Sequence, residues 1–86
     1  GLNGVATDAQ INLIWEPSPG ADLAGYFVLR AQAPTWEFQK ITTQPVTDAS
    51  YFDKVASGVK FLYVVEAVDK AGNVSENSEQ IEQTAR

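Results

Sequence analysis

Glu76, Glu79 and Glu82 recur at intervals of three, and Asp69 and Asn73 stand just before them. These are the residues on which the chain could build chemistry. Paired carboxylates would serve general acid–base catalysis. Asp69, Asn73 and Glu76 together would offer oxygen ligands to a hard cation such as calcium. Neither pattern closes. The 11 acidic residues are dispersed, and there is no histidine and no cysteine, so the commonest groups for proton transfer near neutral pH and for nucleophilic attack are missing. The glutamate run falls on or near an exposed terminal strand, where a solvated acidic face accounts for it. The calcium spacing matches no dedicated loop, and a turn in which Asp69 and Asn73 satisfy their own backbone explains the same residues. Asn73-Val74-Ser75 meets the glycosylation sequon, yet reads equally as part of that turn. No catalytic, cofactor-binding or metal-ligating residue is expected, and the chain is read as no enzyme.

The other chemistry available is aromatic recognition. Trp36, Glu37, Phe38 and Tyr51 form a candidate interaction patch beside Pro34. An exposed indole can stack on a sugar ring or bury itself in a neighbouring domain, because it joins a large apolar face to a polar handle. Trp36 covering an edge of its own domain is the plainer account of the same residue.

The elements that must position these residues fit one domain. A chain of 86 residues permits a single core, and at this size folding buries only about 60–65% of the surface of the unfolded chain. A hydrophobic fraction of 44%, with 2 Trp, 3 Tyr and 4 Phe, suffices for that core. Without cysteine, its stability comes from packing rather than from bridges. The formal charge of −5, with 6 Lys and Arg scattered along the chain, argues against a nucleic-acid or anionic-membrane surface. No apolar run approaches the ~18 residues of a membrane span, and no basic region precedes an apolar core as in a signal peptide. The abrupt start at Gly1-Leu2 suggests a domain excised from a longer protein.

Alternation of period two runs through the chain, and no helical period appears. Leu2 to Thr7 reads as a weak edge strand containing Gly4. In Ile11-Asn12-Leu13-Ile14-Trp15 the odd positions share the core face, and Pro17 and Pro19 stop the strand. Tyr26 to Leu29 is apolar on both faces, as a central strand should be. Trp36 to Ile41 alternates without revealing its buried side. Ser50 to Asp53 is a short strand and Lys60 to Asp69 the longest and best paired. The last runs from Ser78 to Thr84 around Ile81. Seven short strands with turn signals every 8–12 residues predict an all-β immunoglobulin-like sandwich.

Ile11-x-Leu13-x-Trp15, Gly25-Tyr26-x-Val28, Gly58-Val59-x-Phe61-x-Tyr63-x-Val65-x-Ala67-Val68-Asp69 and Ala71-Gly72-Asn73-x-Ser75-x-x-Ser78 together resemble a fibronectin type III domain, from Leu2 to Thr84. The turn after Asp69 is similar to bacterial extracellular members. The resemblance implies seven antiparallel strands in two sheets of three and four, with Trp15, Tyr26, Val28, Tyr63, Val65 and Ala67 in the core. Phe61 stands where the family usually has a tyrosine whose hydroxyl bonds backbone at the corner, a loss of about 1 kcal/mol that predicts a looser corner. The family's sheet-packing aromatic corresponds to Phe38, which leaves Trp36 as an extra residue. Lys70-Ala71-Gly72-Asn73 replaces the Arg-Gly-Asp of some animal members, so integrin binding does not carry over. The function implied is a non-catalytic module in a larger secreted or cell-surface protein, without cofactor and monomeric in isolation. It would space, orient or dock neighbouring domains and extend the chain by about 30–35 Å, a ten-residue strand. The alternative is recognition of a protein or polysaccharide through Trp36, Glu37, Phe38 and Tyr51.

Overall fold

The computed structural model describes residues 1–86 except Pro19, Glu76, Asn77 and Glu79. Among the described residues it contains strands and turns and no helix, hence none long and apolar enough to cross a membrane. Strands β1 (Asn3–Thr7), β2 (Gln10–Ile14) and β5 (Ser50–Lys54) form a three-stranded sheet in the order β1-β2-β5. Strands β4 (Phe38–Lys40), β3 (Leu23–Gln32), β6 (Lys60–Asp69) and β7 (Ile81–Thr84) form a four-stranded sheet in that spatial order. Every pairing is antiparallel. This is the expected all-β, immunoglobulin-like sandwich of three and four strands.

The core lies where the alternation places it. Ile11, Leu13 and Trp15 are buried from one sheet, and Tyr26, Val28, Phe61, Tyr63 and Val65 from the other. Trp15 meets Tyr26 edge to face, with ring centroids 5.4 Å apart, a favoured arrangement of two aromatic quadrupoles. As its doubly apolar sequence requires, β3 is central, lying between β4 and β6.

Several boundaries shift for local reasons. β3 is longer than Tyr26 to Leu29, because β6 offers it a partner along its whole length. Its early half bulges between Leu23 and Gly25, where the connector returns: Tyr26 and Val46 exchange backbone bonds of 2.8 and 2.9 Å. β4 shrinks to Phe38–Lys40 because Trp36 has φ 55°, outside the strand region. β7 starts at Ile81 rather than Ser78. Along the preceding edge of β6 two serines substitute for a ladder: Ser75 and Ser78 accept the Ala67 and Val65 N–H groups through their hydroxyls, at 2.9 and 2.8 Å.

Gly1 lies beside Glu16 and Arg86 beside Thr7 and Ala9. The termini therefore stand at opposite ends of β1. Their separation follows the six residue steps from Gly1 to Thr7, about 20 Å, and is shorter than the ten-residue strand that the sequence suggests.

Candidate functional site

The interaction patch splits in the structure. Trp36 caps the turn after β3, its N–H bonding the Gln32 carbonyl at 3.0 Å, and the turn holds the tryptophan backbone in the left-handed region, which is uncommon for a bulky residue. Trp36 and Phe38 are each 38% exposed, and Glu37 is exposed too. Phe38 pairs in register with Ala31, which puts it on the outer face of the four-stranded sheet. Tyr51 belongs elsewhere. It pairs with Leu13 and packs against the core from the other sheet, because its position in β5 has inward parity. What remains of the patch is Trp36, Glu37 and Phe38.

The turn after β6 is closed on itself. Asp69 Oδ1 accepts the Ala71 and Asn73 N–H groups at 2.9 and 2.8 Å, and Oδ2 accepts the Asn73 side-chain amide at 3.0 Å. Bonds from Asn73, above all, hold the Asp69 carboxyl below its ordinary value, since hydrogen bonds to the charged form favour it. The arrangement is the self-satisfied turn, and no cluster of potential metal ligands forms among the described residues. Glu76 and Glu79 lie outside the described residues. Glu82 points outward from β7 and meets Lys60 at 3.3 Å.

A buried polar network escaped the sequence reading. Asp53, on the inward face of β5, accepts two bonds from Arg30 Nη1, at 2.9 and 2.8 Å, and one from the Tyr63 hydroxyl at 2.6 Å. Arg30 and Tyr63 come from the opposite sheet, so the network spans the sandwich. Burial first, and then the bond to Asp53, push the Tyr63 hydroxyl far above its ordinary range. The Arg30 guanidinium also lies over the Phe61 ring, 4.9 Å from its centroid, a cation–π contact. Phe61 is buried and donates no corner bond, but the corner is tied otherwise: Gly58 N–H bonds the Ala85 carbonyl at 2.9 Å. The signal was parity. Tyr51 and Asp53 share a face of β5, and a carboxylate on an inward face requires a partner.

These geometries carry packing, fastening and an exposed aromatic corner. No protein-family model matches the chain. An amylopullulanase of Thermoanaerobacterium saccharolyticum is 37% identical over 79 residues, covering 88% of this chain and 6% of that protein. The chain thus spans a small fraction of the curated relatives it matches. Among solved structures, a β-1,2-glucanase from Parabacteroides distasonis superposes with TM-score 0.83 at 27% identity, over 98% of this chain and 12% of that one. An Fn3-like protein from Clostridium thermocellum superposes with TM-score 0.79 at 30% identity, over 100% of this chain and 88% of that one. Two sheets of three and four strands, the Trp15–Tyr26 core and this full-length match establish that the chain belongs to the fibronectin type III-like family.

Proposed function

We propose that the chain is a non-catalytic module that spaces and orients neighbouring domains within a secreted or cell-surface polysaccharide-degrading enzyme of bacterial type. One observation carries the reading: a complete sandwich corresponds to a small segment of much longer enzymes. The position of its termini at opposite ends of β1 supports it, because such a domain inserts a fixed step of about 20 Å between its flanks. Its buried inter-sheet network adds rigidity to that step.

The test replaces the domain in its parent enzyme with a flexible Gly/Ser linker. Hydrolysis of a soluble oligosaccharide should be unchanged, and hydrolysis of an insoluble polymer should fall. Glucan cleavage by the isolated domain would overturn the reading.

The exposure of Trp36 and Phe38 favours a second reading, recognition of a polysaccharide or protein at that corner. Affinity gels containing soluble polysaccharides would retard the wild-type domain and not Trp36→Ala. Equal mobility of the two would remove polysaccharide recognition, and equal capture of protein partners by the two in a pull-down would remove the protein arm.

A further inference from the structure

The outer face of the three-stranded sheet is unlike the rest of the surface. Antiparallel register sets its rows: Asn3, Ile14 and Ser50; then Val5, Asn12 and Phe52; then Thr7, Gln10 and Lys54. Val5 is 61% exposed, Ile14 58% and Phe52 67%, and all three stand on this face. Val5 and Phe52 flank Asn12 in one row, and Ile14 is diagonal to both. Such diagonal neighbours lie within reach of one another's side chains. The rows contain one lysine and no acid, on a domain of formal charge −5. A solvent-facing sheet surface normally alternates to polar residues here, and nothing among the described residues covers these three.

We propose that this face docks an adjacent folded domain of the same polypeptide, one presenting an uncharged apolar patch with acid at its rim opposite Lys54. The proposal rests on the orienting function above and names the surface through which it acts. Size selects the occupant. Five residues by three strands span about 17 by 14 Å, a footprint of about 240 Å². A stable complex between free proteins buries about 800 Å² on each partner, so two copies of this domain would not hold together by this face. Contacts between domains of one chain begin near 600 Å² in total, which this face and its margins can supply. The tether then provides an effective concentration in the millimolar range. Charge agrees: in an acidic protein the acid-free face is where another domain approaches with least repulsion.

The experiment uses the domain joined to the folded domain that flanks it in its parent chain. Methyl resonances of Val5 and Ile14 should shift relative to the isolated domain, and small-angle scattering should report one fixed inter-domain geometry. Phe52→Ser and Val5→Thr both change outward side chains, so circular dichroism should stay that of the wild type. Each should lower the ratio of docked to undocked molecules about tenfold, as loss of a central apolar anchor does. A geometry that stays fixed in both variants would overturn this surface and leave the orienting function standing. Independent tumbling of the wild-type domains, or the absence of any folded flanking domain, would overturn both. Dimerisation of the isolated domain through Phe52 at micromolar concentration would assign the face to a second copy and overturn the proposal.

Discussion

The Tyr63 hydroxyl reaches across the interior to Asp53, 2.6 Å away on the opposite sheet. Arg30 bonds both oxygens of the same carboxylate, so Asp53 is the member on which the network depends. Tyr63→Phe removes one bond to a charged group and should lower stability by about 1.5–3 kcal/mol. Asp53→Ala leaves both partners without an acceptor. Breaking a buried pair costs about 3–5 kcal/mol, and the partial exposure of Arg30 places the loss near the lower end. Urea unfolding should therefore rank Asp53→Ala below Tyr63→Phe. The reverse order would mean that the carboxylate is not the hub.

Tyr63 also predicts behaviour in alkali. Burial and the bond to Asp53 raise its folded-state pKa above the unfolded value. Its contribution is therefore complete below the unfolded tyrosine pKa of about 10 and is lost as the pH rises toward the folded value. Thermal unfolding should move to lower temperature above about pH 10, and less so in Tyr63→Phe. Identical alkaline profiles for the two proteins would contradict the assignment.

Asp69 contributes on the acid side with the opposite sign. Its folded pKa is depressed, chiefly by bonds from Asn73, so its contribution is present above the unfolded carboxyl value of about 3.9 and is lost as the pH falls through the folded one. The urea midpoint of the wild type should fall between pH 6 and pH 3 by more than that of Asp69→Asn. Parallel profiles would show that the turn is held by something else.

The legibility of the chain follows one physical line. Period-two alternation made the strands, the odd-numbered core face of β2 and the central place of β3 readable, because burial on a defined face leaves a mark at every second residue. The Asp69 turn was readable because its partners lie within four residues. Three features depend on distant segments and left weaker marks. Asp53 meets Arg30 from 23 positions away and Tyr63 from 10. Tyr51 shares aromatic character with Trp36, and only its parity in β5 sends it to the core. Val5, Ile14 and Phe52 come together only once the register of three strands is known, since each alone is an ordinary exposed apolar residue.

Gly25 illustrates a constraint of that distant kind. Its φ is 154°, and a Cβ there would lie 2.5 Å from the Val46 carbonyl oxygen and 2.9 Å from Pro45 Cβ. A backbone oxygen cannot move aside as a flexible side chain would, so Gly25→Ala must push the connector off β3 and weaken the Tyr26–Val46 bonds. A loss of about 2–3 kcal/mol is expected. The melting temperature should drop by about 10 °C or more. A change of a degree or two would mean that the connector yields freely.

Ala9 offers the converse. It sits in the turn between β1 and β2 with φ 54°, a left-handed conformation that strains any residue with a Cβ, and its side chain is exposed. Its N–H bonds the Arg86 carbonyl and its own carbonyl accepts the Val55 N–H, so the backbone is held in that conformation from two sides. Ala9→Gly removes the strain and keeps both bonds. The greater freedom of glycine in the unfolded chain offsets part of the gain. A net stabilisation of about 0.5–1 kcal/mol is expected, seen as a rise of a few degrees in melting temperature. A fall would show that unfolded-state entropy outweighs the turn strain at this position.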